Sequence, residues 1–493
     1  GGEKEIISLK QNQAAMPLFE AMKRYSEDGA LAFHTPGHKQ GKGAAPALRS
    51  LITDEGLRME VSLMAELDDL HEPTACIKEA QALAAELYGA DESYFVINGT
   101  TGAIQAMIMA AVKPGEKIIV PRNAHRSIIG GIMLSGAMPV FLQPQVDAEL
   151  GIAMGIAAES VRRAIAAHKE AKAVLVINPT YYGVASDLAA IAAIAHSNDM
   201  LLLVDEAHGP HLKFSSNLPL SALAAGADIV AQSTHKILGS LTQTSMLHVQ
   251  GRSVDRDRLR AMVSLLQSTS PNYLLLASLD AARWQMGQAG EALIGRAVEL
   301  ADALREKINE IDGLFCFGRE RMVGDACFAL DVTKLTVNVR GLGLSGPEAE
   351  QFLRYECKIQ CELSDLCNVL FIISFADGSG EGERLLLALR RLATGRRTEN
   401  SKLAPVPLAP LPQLRFTPRD ALYASRETMD FSASAGRASA EVLTFYPPGI
   451  PVLCPGEIIT REIIEYTQRC QRTGLKVVGP DDASLRTIKV VRE

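Results

Sequence analysis

Hydrophobic positions along this chain change period repeatedly. Ile77, Ala80, Ala84, Leu87 and Tyr88 recur at helical spacing, and Gly89 follows them. That pattern predicts an amphipathic helix over 74–88 closed by a glycine C-cap. Residues 94–97 read as a strand leading into Asn98-Gly99-Thr100-Thr101-Gly102, and a small-residue helix then runs to Pro114-Gly115. Five further short runs, 117–120, 139–142, 173–177, 201–204 and 228–231, are apolar with almost no alternation. Strands of that kind are buried on both faces, as in a parallel sheet covered by helices. An Ala/Ile-rich helix at 188–196 separates two of them. The pattern predicts one large α/β domain over 31–277, with residues 1–30 as an N-terminal segment.

Further on, a long helix is expected over 278–310, strands at 327–330 and 368–373, and helices near 347–356 and 382–393. These make a smaller α/β domain, 278–395. Pro405, Pro407, Pro410, Pro412 and Pro418 then crowd residues 396–418, which read as an extended linker. Residues 419–493 form a last, α+β domain.

Composition narrows the class. At ~150 residues per domain, 493 residues predict about three domains. Hydrophobic residues make up 47% and charged residues 22%, which is globular and not disordered. Fifty basic against 57 acidic residues give −7, which argues against nucleic acid as a partner. No apolar run approaches the ~20 residues of a membrane span. Gly1-Gly2 reads as an appended remnant, with no signal peptide after it. The eight cysteines are sparse and include no C-x-x-C pair. Cys357, Cys361 and Cys367 cluster but lack the paired spacing of a zinc site, so no metal is expected. Reduced cysteines point to the cytoplasm.

Candidate chemistry gathers at strand ends. Lys236 closes Ser233-Thr234-His235-Lys236 directly after a buried strand, where desolvation lowers an amine's pKa and frees a nucleophile. Asp205 ends the apolar run 201–204, at the carboxyl edge where parallel sheets bind ligands. Gly99-Thr100-Thr101-Gly102 lies between a strand and a helix and can cradle an anion, with Ser233 and His235 as further donors. A phosphate cradle, a carboxylate and a lysine together suit pyridoxal 5′-phosphate.

The stretches His34-Thr-Pro-Gly-His-Lys39, Asn98–Gly102, Pro121-Arg-Asn-Ala-His-Arg126, Asp205-Glu-Ala-His-Gly209, Ser233–Lys236 and Tyr446-Pro-Pro-Gly-Ile-Pro451 resemble the bacterial-type Orn/Lys/Arg decarboxylase family, in its shorter branch. The resemblance implies an aspartate aminotransferase-like fold (PLP fold type I) with a mostly parallel sheet. It implies that Lys236 carries the cofactor, that Asp205 meets the pyridine nitrogen, that His125 stacks on the ring, and that Thr100, Thr101, Ser233 and His235 hold the phosphate. Gln267-Ser268-Thr269-Ser270, with Tyr273 nearby, would complete the phosphate site of the other subunit in a homodimer. His208, where long-branch relatives often carry Trp, is a candidate for reprotonation beside Lys236.

The expected reaction is decarboxylation of a basic L-amino acid, arginine to agmatine foremost, feeding polyamine synthesis, with lysine and ornithine as alternatives. An aminotransferase or lyase reaction on the same cofactor and a non-catalytic binding role are the other readings. A cationic substrate needs a carboxylate partner. Two clusters qualify, Glu66/Asp68/Asp69 and Glu362/Asp365, and Asp365 is the expected contact.

Overall fold

A computed structural model of the chain describes residues 13–61, 63–395, 408–446, 450–472 and 475–492. Gly1-Gly2, Pro405, Pro407 and the Pro447-Pro448-Gly449 core of the last motif lie outside the described residues.

Seven strands form the central sheet: β1 Glu92–Val96, β2 Lys117–Pro121, β3 Met138–Leu142, β4 Ala173–Ile177, β5 Leu201–Asp205, β6 Ile229–Gln232 and β7 Ser245–Val249. Their order is β1-β7-β6-β5-β4-β2-β3. The β6-β5-β4-β2-β3 portion is parallel, whereas β7 runs antiparallel to both neighbours. This is the large-domain layout the resemblance implied. Leu202, Val204 and Val230 pack into one core, while Leu203, Ile229 and Ala231 pack into another on the opposite face. Successive strand residues point to opposite faces, so a strand buried on both must be apolar throughout. β7 escaped the sequence reading because Ser245 and His248 interrupt its apolar run, although both are buried.

Helices α1 Cys76–Tyr88, α2 Gly99–Ala111 and α3 Arg126–Ser135 connect or cover the first strands. Helix α4, Tyr273–Asn309, starts five residues before its expected position of 278. Asn272 caps it, its Oδ1 accepting the N–H of Leu275 at 3.1 Å. The run 327–330 is not a small-domain strand. Only Ala329–Leu330 is extended, and it pairs with Val184–Ala185 of the large domain.

The small-domain sheet is antiparallel, with β8 Phe315–Cys316, β9 Lys334–Asn338, β10 Leu363–Ser364 and β11 Asn368–Ile372 in the order β8-β9-β11-β10. Helices α5 Gly346–Glu356 and α6 Ser379–Gly395 cover it, contributing Ala349, Leu353, Leu385 and Leu389 to its core.

From residue 408 the chain enters the C-terminal unit of α7 Pro418–Tyr423, α8 Arg461–Arg472 and two small antiparallel sheets. A buried ion pair ties this unit to the large domain. Arg122 Nη1 and Nη2 donate to both oxygens of Glu457 at 2.5 and 2.8 Å, and Nε and Nη2 donate to the carbonyls of Pro451 and Val452. These bonds engage four of the five guanidinium N–H groups, two of them in a bidentate pair with the carboxylate. No helix among the described residues is long and apolar enough to cross a membrane.

Candidate active site

The carboxyl ends of β2, β4, β5 and β6 share one edge of the sheet, and the turn after β1 reaches the same edge. A cavity of about 390 Å³ opens there, lined by residues from each of these strand ends. Gly99 opens α2 in the left-handed region at φ +67°, a conformation that suits glycine. Its N–H donates to the carbonyl of Gln243 at 2.9 Å. The next residue, Thr100, has its Oγ1 2.5 Å from Ser233 Oγ and 2.9 Å from Ser245 Oγ, which in turn donates to the Gln232 carbonyl. Hydroxyls from two strand ends thus converge at a helix N-terminus, and Thr101 lines the same wall. The positive end of the helix dipole favours an anion there.

His235 differs from the expected donors. Its Nδ1 donates to the carbonyl of Thr244 at 2.7 Å, leaving Nε2 as an acceptor in the neutral ring. Burial holds its pKa below the ordinary imidazole value. His235 therefore donates to a phosphate only after gaining a proton.

Lys236 and Asp205 enter the same cavity. Burial lowers the Lys236 pKa, and Lys334 acts in the same direction, whereas Asp205 and Glu362 oppose it. Burial raises the pKa of Asp205, with Lys236 and the backbone N–H of Ala207 opposing; that N–H reaches Oδ1 at 3.1 Å. Lys236 Nζ is 3.0 Å from His208 Nε2. His208 is pushed well below the imidazole range by burial and then by Lys236, so it is neutral, and Nε2 can accept from the ammonium. Its Nδ1 is buried with no hydrogen-bond partner among the described residues. His125 caps α3, its Nδ1 accepting the N–H of Ser127 at 3.2 Å. Burial first, and the Lys236 charge second, bring the His125 pKa down to about 4. A neutral, flat ring on the cavity wall is the result.

The sequence reading missed Tyr181. It stands in Asn178-Pro-Thr-Tyr-Tyr-Gly183, just past the end of β4, and that position was the available signal. Its ring lies 4.6 Å from the His208 ring and 5.6 Å from Lys236 Nζ, centroid distances that make it part of the lysine's surroundings. Gln243, left-handed at φ +84°, was also missed; its Nε2 donates to the Ile97 carbonyl at 2.7 Å and fixes the cradle turn.

Ser268, Thr269 and Ser270 are exposed and do not line the cavity of their own subunit. His71, not singled out in the sequence, supports this segment: its ring nitrogens contact Ser264 Oγ at 2.7 Å and the Ser268 carbonyl at 2.8 Å.

The two acidic clusters separate by role. Asp68 is buried and accepts backbone N–H groups from Asp69, Thr74, Ala75, Ile77 and Lys78, capping the start of α1. Those bonds outweigh burial and hold its carboxyl below the usual range. Asp69 accepts from the N–H of His71, and Glu66 is exposed. Asp365 is only 4% exposed, and both its oxygens are engaged, by the N–H groups of Cys367 and Asn368, the Asn368 amide and the Tyr182 hydroxyl. Asp365, the expected substrate contact, organises the β10–β11 turn with these bonds and does not line the cavity that holds Lys236. Glu362 is exposed, and its charge acts on Lys236. His34 and His38 are loop histidines, bonded to the Tyr25 hydroxyl and to Glu60, and neither lines the cavity.

Comparison with known proteins agrees with this geometry. Residues 16–381 match the Orn/Lys/Arg decarboxylase major domain, and residues 407–480 match the C-terminal domain of the same family. The chain is 48% identical over 483 residues to an arginine decarboxylase of Halalkalibacterium halodurans, covering 98% of each. It is 45% identical over 484 residues to an arginine decarboxylase of Bacillus subtilis, covering 98% of this chain and 99% of that one. Among solved structures, a lysine decarboxylase of Francisella novicida superposes with a TM-score of 0.85 at 23% identity, covering 98% of this chain and 82% of that one, which shows the shared fold. With both domains matched across nearly its whole length, this chain belongs to the Orn/Lys/Arg decarboxylase family.

Proposed function

We propose that this protein decarboxylates L-arginine to agmatine and CO2 with pyridoxal 5′-phosphate as cofactor. The observation that carries the reading is a buried carboxylate, a lysine amine and a hydroxyl-lined helix N-terminus meeting in one cavity at the sheet's carboxyl edge. The fit is chemical. Among the described residues, buried Asp205 accepts one side-chain hydrogen bond, from the N–H of Ala207, and burial raises its pKa. A protonated ring nitrogen would supply the missing partner. The Thr100, Thr101 and Ser233 hydroxyls, with the α2 N-terminus, suit a phosphate. Lys236 would hold the cofactor covalently through Nζ, and His125 would lie against its ring.

When bound, pyridoxal phosphate supplies an electron sink for the bond between Cα and the departing carboxylate. The protein's own part is orientation and proton supply. Lys236 Nζ and His208 Nε2, 3.0 Å apart, can share a proton, so one can deliver it to the substrate carbon while the other replenishes it. Tyr181 fixes the His208 ring from the side. CO2 release from arginine, lysine and ornithine, measured in parallel, tests the substrate. Turnover of arginine at the highest kcat/KM supports the reading, and preference for another substrate overturns it.

Glu362 is the proposed partner of the substrate cation. It is accessible, its charge reaches the Lys236 amine, and a guanidinium favours a carboxylate. Glu362→Gln should lower kcat/KM for arginine about tenfold or more, mainly through KM, with cofactor content unchanged. Equal kinetics in the variant would remove Glu362 from substrate recognition.

The homodimer reading rests on the family resemblance and on Ser268–Ser270 being exposed and outside the lining of their own cavity. Inactive Lys236→Ala and inactive Thr269→Ala/Ser270→Ala proteins should regain activity when their subunits exchange, because one hybrid site is then intact. No recovery after verified exchange would assign the segment to its own subunit.

A further inference from the structure

A buried cluster that the reaction above does not use lies where the two α/β domains meet. Lys334 opens β9, and its side chain is fully buried. Its Nζ donates to Asp331 Oδ2 at 2.8 Å and lies 3.4 Å from Thr333 Oγ1. Thr333 also donates to Asp331 Oδ1 at 2.6 Å. From the large domain, His211 brings Nε2 to within 3.1 Å of Asp331 Oδ2 and 3.2 Å of Thr333 Oγ1, leaving Nδ1 buried and unpartnered among the described residues. A ring that donates through Nε2 with a bare Nδ1 is neutral, so the cluster holds one negative and one positive charge.

The cluster is welded to the loop that carries Tyr181. The Asp331 N–H donates to the Gly183 carbonyl at 2.8 Å. A Cβ on Gly183 would lie 2.6 Å from the Asp331 carbonyl oxygen and 3.1 Å from Lys334 Cβ, and Gly183 itself is left-handed at φ +86°. The loop from Tyr181 to Gly183 is therefore held against Asp331 and Lys334, and the Tyr181 ring packs against His208 and lies beneath the Lys236 amine.

We propose that Lys334 is a positioning residue for the reaction: pinned by Asp331, its ammonium presents the positive end of a buried ion pair to the Lys236–His208 pair and eases release of the proton that pair shares. The orientation is supported by the charges each group feels. Lys334 acts on Lys236 without an opposing contribution from Asp331, and on His208 it acts more strongly than Asp331 does. The other charged or titratable groups facing Lys236 are Asp205, Glu362, His208, His125 and His235, and those facing His208 are Lys236, Asp331 and His125. A fixed positive charge in such a low-dielectric place favours a neutral His208 and an amine that gives up its proton readily.

The proposal rests on the reading of Lys236 as the reactive amine, and the test separates the two. In cofactor-free protein, the pH at which Lys236 becomes reactive toward an amine-acylating reagent is read by peptide mapping. Lys334→Met/Asp331→Asn removes both charges and avoids leaving Asp331 buried and unpaired. That midpoint should rise by ~0.5–1 pH unit. The acid limb of kcat/KM in the loaded enzyme should move in the same direction. Lys334→Gln serves if the double variant does not fold, with a shift in the same direction expected. Lys334→Arg, which keeps the charge, should stay nearer the natural protein than either. A folded variant with an unmoved Lys236 midpoint overturns the proposal, as does an Arg variant that shifts as far as the neutral ones. A shift in the cofactor-free protein without covalent labelling of Lys236 by the cofactor would leave this inference standing and remove the cofactor role instead.

Discussion

Lys236→Ala should abolish turnover while leaving the fold in place. The amine lies at the end of the four-residue turn Thr234–Ile237, and no backbone hydrogen bond depends on its side chain. What the substitution removes is the neighbour of His208 at 3.0 Å and the cation whose charge acts on Asp205. In the unaltered protein, borohydride reduction after loading with pyridoxal phosphate, followed by peptide mapping, should label Lys236. A label on another lysine, or near-normal activity in the alanine variant, would end the assignment. Circular dichroism should show little change, because a lysine whose pKa is lowered by burial loses little stabilising charge energy when removed.

The second large effect is expected at Asp205. It is buried at the end of β5, in register with Ile177 of β4 and Ala231 of β6. Asp205→Asn keeps the shape and the Ala207 contact but not the negative charge. The variant should retain part of its cofactor and lose about a thousandfold or more in kcat, ~4 kcal/mol at ~1.4 kcal/mol per decade. Absorbance titration separates cofactor loss from the slower reaction. Turnover within a few-fold of the natural protein would mean that Asp205 does not act on the ring nitrogen.

The parts of this site legible in the sequence were those whose strands had no alternative reading. β4 and β5 are apolar on both faces, so their ends, and with them Asp205, could be located from pattern alone. Lys236 followed from the same logic one strand later. β7 and β9 were not legible because buried polar residues, His248 in one and Thr336 in the other, interrupt the apolar run; the partner of His248, Ser93, comes from distant sequence, whereas Lys334 at the head of β9 pairs with Asp331 three residues away. Asp365 and Asp68 show a different limit. An acidic residue in a loop looks the same in sequence whether it waits for a ligand or accepts backbone N–H groups. Only the three-dimensional donors, such as Tyr182 for Asp365, distinguish the two. Tyr181 was missed because an aromatic after a strand is ordinarily core, and its contact with His208 joins two separate strand ends.

The Arg122–Glu457 clamp changes how the last part of the chain should be regarded. Arg122 directly follows β2 and precedes His125 by three residues, so the guanidinium anchored under the C-terminal unit and the ring on the cavity wall belong to one short arch of backbone. The far unit acts as the keystone of that arch. A chain shortened before residue 450 would keep every cavity-lining side chain named here and still leave the Arg122 charge without its counter-ion, loosening the footing on which His125 stands. Shortening the chain there should thus alter the candidate pocket from a distance.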